Sequence, residues 1–256
     1  MKKIYYILKN VLYIIKNVYF IYTVAKKYIS FFKYVPIIIK FIENHFLSLS
    51  KLNLKYRVNK DYFKNLTNQF RFSNDWFTNN IPNWLYVFQK IGSNKINYIL
   101  EIGSYEGMSS KFLLNYFGNA QIDCVETFTG SDEHADIDFL KVESNFNFNL
   151  SNYSGRYKLF KMNSKNFFYN KLFRNKFYDL IYIDGSHYKD DVYDDAVNSF
   201  EILNKNGIII FDDFLRKYYD DNDKNVIGAV FKFIEKYGNK IEVIFIGYQI
   251  FIKKII

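Results

Sequence analysis

The sequence predicts an α/β protein built on a mostly parallel sheet with helices on both faces. Three observations predict it. First, Leu180–Ile183 and Ile208–Phe211 are short, uninterrupted apolar runs ending in acids, Asp184 in one case and Asp212-Asp213 in the other. Such runs suit strands covered on both faces, as in parallel sheets. Second, from residue 95 onward strand-like runs alternate regularly with helical patterns, which is the signature of strand–helix–strand units. Third, Ile99-Leu-Glu-Ile-Gly-Ser-Tyr-Glu-Gly107 reads as a strand running into a glycine-bearing turn and then a helix.

In order, the elements expected are a strand over 96–102, a helix over 107–117 and a strand over 121–126. A loop over 127–135, a helix over 136–150, a strand over 157–162 and a helix over 164–173 follow. Next come the strand ending at Asp184, a helix over 190–203, the strand ending at Asp212 and a helix over 225–237. Strands over 241–247 and 248–253 are so close that they suit an antiparallel hairpin closing the sheet. Upstream, Asp75 or Thr78 is a candidate helix start, and Ile81–Ile91 reads as a helix. The expected organisation is a basic, apolar helical arm over 1–50, a linker and helical lead-in over 51–94, and the sheet domain over 95–256.

Composition narrows the function classes. The single cysteine, Cys124, excludes an intramolecular disulfide and a thiolate metal cage, which suits a reducing compartment such as the cytoplasm. Of the net +9, +7 falls in residues 1–50, which hold eight lysines against Glu43 alone, so the sheet domain is nearly neutral. The lysines break the apolar arm into stretches too short for a spanning helix of roughly 20 apolar residues. No small-residue cleavage site follows an apolar core, so a signal peptide is not expected. Lys9 and Lys16 are one heptad apart, as are Lys26, Lys33 and Lys40, which puts each set along one side of a helix. Two readings stand side by side: peripheral membrane contact through residues 1–47 at an inner membrane surface, or a helical pair packed on the domain or on a sister subunit in a homo-oligomer. Nucleic acid is not expected as a partner, because apolar residues dominate the arm and arginine is absent before Arg57. Pro36 is expected to kink or divide the arm.

The acids at the strand ends locate the expected site. Ligands of open parallel sheets bind at the C-terminal strand edge, so Asp184, His187, Asp212 and Asp213 are expected to converge there. The Gly103-x-x-x-Gly107 spacing differs from the Gly-x-Gly-x-x-Gly of dinucleotide binders. The next strand ends in Glu126, about where an acid accepts hydrogen bonds from ribose hydroxyls. Both features fit an adenosyl ligand across the strand ends. Glu133 and His134 fit either a ligand contact or a solvated loop, and Asp190-Asp191 with Asp194-Asp195 reads as a solvated helix face.

These residues resemble a class I S-adenosylmethionine-dependent methyltransferase, and within that class the macrocin-type and methyltransferase-24 branch. The resemblance covers about residues 95–254 and rests on Glu101–Gly107, Val125–His134, Ile181–His187, Gly207–Phe214 and Gly247–Lys253, in that order. It implies a Rossmann-like sheet and a pocket for S-adenosyl-L-methionine at Glu101, Gly103, Ser104 and Gly107, with Glu126 at the ribose. Asn163-Ser164 stands where the family carries an Asp-Ser pair near adenine, and the asparagine departs from that pattern. It further implies Asp184, Asp212 and Asp213 as Mg²⁺ ligands and His187 as general base, with Asp184 serving catalysis through the metal. The implied activity is methyl transfer to a hydroxyl of a sugar or glycoconjugate. Alternatives are a hydroxylase-like relative and a non-catalytic membrane adaptor on a vestigial pocket.

Overall fold

The computed structural model describes residues 2–92, 95–130, 137–173 and 176–256. Seven strands form one sheet in the order β3-β2-β1-β4-β5-β7-β6. They are β1 (Tyr98–Ile102), β2 (Gln121–Glu126), β3 (Tyr157–Lys161), β4 (Tyr178–Ile183), β5 (Leu203–Phe211), β6 (Ile241–Ile246) and β7 (Ile250–Lys254). The first five strands in this order run parallel, and β7 is antiparallel to both β5 and β6. The expected hairpin therefore closes the sheet, with β7 inserted beside β5 and β6 left at the edge.

Period-two burial explains why these runs are strands. Leu180 and Tyr182 of β4 and Ile208 and Ile210 of β5 enter one core, while Ile181, Ile183, Ile209 and Phe211 enter the other. One core is covered by α5 (Ile81–Ile91), α6 (Met108–Tyr116) and α7 (Phe139–Leu150). The opposite core is covered by α8 (Ser164–Tyr169), α9 (Lys189–Glu201) and α10 (Val226–Tyr237), joined by α1 (Lys2–Ala25) and α2 (Phe31–Leu47). A π-helical turn over Ser48–Leu52, the short α3 (Asn53–Lys55) and α4 (Arg57–Thr67) connect α2 to the lead-in. Asp75 accepts from the Thr78 amide at 2.9 Å and from the Thr78 hydroxyl, which ties the loop to the 3₁₀ turn at Thr78–Asn80 that precedes α5.

The arm departs from expectation in two ways. It divides at residues 26–30, not at Pro36, which lies inside α2. Pro36 sits in the second turn of that helix, so the single bond it forfeits is to a first-turn carbonyl and the helix continues. The arm is also less interrupted than its lysines suggest. Tyr5–Ala25 is continuous and, by length and a mean hydropathy of 1.2, apolar enough to cross a membrane, although 22% of it is buried. The C-terminal part of α1 packs on the domain through Phe20, Ile21, Val24 and Ala25, and α2 does so through Ile37 and Phe41. Tyr28 reinforces this, donating to Asp223 at 2.7 Å, while Lys189 donates to the other oxygen of Asp223 at 2.8 Å.

Candidate active site

β1 has β2 on one side and β4 on the other, which makes the C-terminal end of β1 the point where strand order reverses and where open α/β sheets bind ligands. Gly103 makes the turn there at φ +85°. A Cβ on Gly103 would lie 2.1 Å from the Asp184 carbonyl oxygen, so only glycine lets the turn pass the end of β4. Gly107, also left-handed at φ +78°, leads into α6 and does not line the cavity described below.

The turn is held by its neighbours. Glu126, at the end of β2, accepts from the amides of Ser104, Tyr105 and Phe128, each at 2.9 Å. Glu101 is fully buried and takes the hydroxyls of Ser109 and Ser110 on α6. Burial raises its pKa, against the lowering effect of those serines. Glu101 is thus a brace beneath the turn rather than part of the cavity wall. Cys124 lies beside it, buried and unpaired with any other cysteine.

The acid cluster forms at the ends of β4 and β5. The Tyr182 hydroxyl stands between Asp212 and Asp184, 2.9 Å from the latter. Burial, then repulsion from Asp212 and Asp213, pushes Asp184 well above the usual carboxylate range. Burial and Asp213 likewise raise Asp212 to about 6. A protonated Asp184 can donate to the Tyr182 oxygen while Tyr182 donates to Asp212. Asp213 behaves oppositely: burial pushes its pKa up, but bonds from His187, Tyr218 and Tyr248 outweigh that and hold it below the usual range. His187 Nε2 is 3.1 Å from Asp213, and its ring stacks on Tyr218 at 3.9 Å.

The cation-holding geometry therefore groups Asp184, His187 and Asp213, whose candidate ligand atoms lie within 4.8 Å of one another. Asp212 stands apart from that group, with its oxygens taken by Tyr182 and by the Asp213 amide at 2.7 Å. Asn163 caps α8 by accepting from the Asn166 amide at 2.8 Å, and Ser164 hydrogen-bonds Asp195. Asp195 is buried and raised to about 7, so it is not part of the solvated face that Asp190, Asp191 and Asp194 form. Glu133 and His134 lie outside the described residues.

One cavity of about 1660 Å³ joins these parts, lined by Gly103, Ser104 and Glu126, by Asn163 and Ser164, and by Asp184, His187, Asp212 and Asp213. It exceeds the roughly 300–1,000 Å³ of a single small-molecule pocket, leaving room for a second reactant. Its remaining wall comes from segments that strand-end reasoning does not reach. Asn74, Trp76 and Asn83 of the lead-in, and Tyr13, Phe41 and His45 of the arm, all line it. Glu106 fixes the lead-in over the glycine turn, taking the Ser73 hydroxyl at 2.7 Å and the Asn145 amide at 2.7 Å. Tyr182, Tyr218 and Tyr248 contact the acids without any motif that announces them. The only signal for them is adjacency to the strand ends, and tyrosine is too frequent in this chain, at 24 residues, for that to discriminate.

Residues 100–214 match the family model described as a methyltransferase domain, of the methyltransferase-24 group. No curated protein sequence matches the chain. Among solved structures, a candidate caffeoyl-CoA O-methyltransferase from Staphylococcus aureus is similar with a TM-score of 0.53 and 17% identity, over 80% of this chain and 99% of that one. An O-methyltransferase from Bacillus cereus, in complex with S-adenosylhomocysteine, gives 0.51 and 15% over 85% and 99%. MycE, a methyltransferase of mycinamycin biosynthesis in complex with Mg, S-adenosylhomocysteine and mycinamycin VI, gives 0.50 and 19% over 81% of this chain and 54% of its own. At these identities the structures show a shared fold. The matched domain supports the class: residues 100–214 are similar to a methyltransferase domain, and S-adenosylmethionine-dependent methyl transfer is the activity that this match supports.

Proposed function

We propose that the chain is an O-methyltransferase acting on a hydroxyl of a sugar or glycoconjugate, of the macrocin-type branch, with S-adenosyl-L-methionine as donor and Mg²⁺ as assistant. Residues 95–256 are the catalytic unit, residues 51–94 the lead-in, and residues 1–47 contact the membrane on its cytoplasmic side. The observation that carries this reading is the joining of the Gly103 turn, Glu126 and the acid cluster in one cavity.

The residues fit the donor. The Gly103 turn lets a ligand approach the backbone, and Glu126 offers carboxylate oxygens to vicinal hydroxyls. Ser104 and, at the far end, Asn163 and Ser164 complete that wall, with Glu101 and Gly107 shaping the turn from behind. When bound, S-adenosylmethionine supplies an activated methyl group on a sulfonium. The residues also fit a hard cation: Asp184 and Asp213 supply carboxylate oxygens, with Asp212 adjacent. A bound Mg²⁺ would lower the pKa of a coordinated hydroxyl. His187 is better suited to proton transfer than to Mg²⁺, because imidazole favours softer metals. Asp213 holds its Nε2 and Tyr218 fixes the ring plane, which orients the base. The protein's main task is to align acceptor oxygen and methyl carbon within the cavity.

The hydroxylase-like alternative needs two histidines and a carboxylate, and the cluster among the described residues holds His187 alone. The test is transfer of labelled methyl from S-adenosylmethionine to a panel of glycans and glycosides with Mg²⁺ or with chelator. Transfer stimulated by Mg²⁺ and abolished in Asp184→Ala is expected. Full activity of Asp184→Ala would remove the metal from the proposal, and glycan-independent transfer to another acceptor class would remove the sugar.

A further inference from the structure

The N-terminal half of α1 exposes a run of apolar side chains that no other described element covers, apart from Tyr13, which meets α2. Tyr5, Tyr6, Ile7 and Leu8 are consecutive, so they point in all directions around a helix, and each is more than half exposed. Leu12, Ile15 and Tyr19 continue the exposed surface to the point where Phe20 and Ile21 enter the core. Exposed Phe31 adjoins its far end through Tyr34, whose ring meets Tyr22 at 5.8 Å and Phe31 at 5.5 Å. A contiguous exposed apolar surface of this kind, with Lys9 and Lys16 along one side, marks a contact with a partner or with a lipid surface.

Charge and length choose the mode. Eight lysines against one acid in residues 1–50 match an anionic surface. The exposed stretch Tyr5–Tyr19 extends only about 22 Å at 1.5 Å per residue, short of the ~30 Å hydrocarbon core. Lys9 and Lys16 lie within that stretch, where a spanning helix would bury them. In the plane of the interface their long stems reach the headgroups.

We propose that α1 docks in the interfacial plane of an anionic bilayer through its Tyr5–Tyr19 surface, and that this docking sets the cavity against the membrane. The second part follows from Tyr13, which belongs to α1, lines the cavity and stacks on His45 of α2 at 5.0 Å. The benefit to membrane-borne acceptors rests on the methyltransferase reading, whereas the docking does not.

The test is co-sedimentation of the full chain, without cofactor, with vesicles of phosphatidylcholine alone or mixed with phosphatidylglycerol. Binding to the mixed vesicles is expected to be roughly tenfold stronger or more and to weaken with salt. Leu8→Asp with Leu12→Asp, at exposed positions, is expected to lower it at least about tenfold while leaving the melting temperature and S-adenosylhomocysteine affinity unchanged. Equal binding to both vesicle types, or no binding, overturns the proposal. So does a dimer in light scattering that the same substitutions dissolve, since the surface then belongs to a second copy. Resistance to alkaline carbonate extraction would replace in-plane docking by a spanning helix. A vesicle-binding chain that binds no cofactor would retain the docking and lose the methyltransferase function.

Discussion

Replacing Gly103 by alanine tests how the site is assembled. The added Cβ would stand 2.1 Å from the Asp184 carbonyl oxygen and 2.6 Å from the Gly185 Cα, both backbone atoms with no rotamer to relieve the clash. The residue would also keep φ near +85°, which L-residues disfavour by ~1–2 kcal/mol. Overpacking of this kind costs typically ~1–3 kcal/mol, so a total of about 3 kcal/mol is reasonable. For a chain of this size that corresponds to a fall in melting temperature of ~6–12 °C. Gly155→Ala is the control, because its φ is +82° with nothing within 4 Å of the built Cβ. It carries the backbone cost alone, a fall of ~2–8 °C. Thermal unfolding of both variants, with calorimetry of S-adenosylhomocysteine, is the assay. Cofactor affinity should fall in Gly103→Ala and stay unchanged in Gly155→Ala. Equal melting temperatures and affinities in the two would refute a turn whose fit against β4 builds the site.

The raised carboxylates give a pH dependence whose sign is fixed. Asp184 and Asp212 bind protons more tightly folded than unfolded, so their contribution to stability is present at low pH and lost as pH rises through their raised folded-state values, about 6 for Asp212. Metal-free protein should therefore melt lower at pH 8 than at pH 5.5 as far as these groups decide it. Asp213 is depressed, so its own contribution is lost only on acidification below that window. Mg²⁺ must displace the retained protons, so its stabilisation should grow over the same range. At about 100 times its dissociation constant it should add ~2.7 kcal/mol, or ~5–11 °C. A Mg²⁺ shift that is independent of pH, or preserved in Asp184→Asn, would contradict metal binding by this cluster. Glu106→Gln should loosen the lead-in, since Ser73 and Asn145 both donate to that buried carboxylate. The expected cost is ~1–3 kcal/mol by thermal unfolding, with faster proteolysis near residues 70–76. Unchanged cleavage there would mean that Glu106 does not hold the segment.

Much of the fold was legible because burial on both faces leaves an unmistakable apolar run. Leu180–Ile183 and Ile208–Phe211 could hardly be other than central strands, and the acids following them had to emerge at one edge. Which acid faces which neighbour was less legible. β5 stops at Phe211, and Asp213 turns to φ +52°, which carries it to His187 while Asp212 stays with Tyr182. A sequence shows adjacency, not that turn. The arm misled through Pro36, whose effect depends on its place within the helix rather than on its presence. The lead-in was illegible for a different reason. Its position over the glycine turn depends on Ser73–Glu106 and Arg71–Asn149, bonds between residues 33 and 78 positions apart that leave no local pattern.

The central claim is that the Gly103 turn and Glu126 form a cofactor pocket in this chain. Isothermal titration of the purified protein with S-adenosylmethionine and S-adenosylhomocysteine, with and without Mg²⁺, tests it most directly. Saturable binding that weakens at least about tenfold in Glu126→Ala is the expected result, from the loss of charge-assisted bonds to ribose hydroxyls worth ~1.5–3 kcal/mol. Absence of binding in either condition, or wild-type affinity in a folded Glu126→Ala, would contradict it.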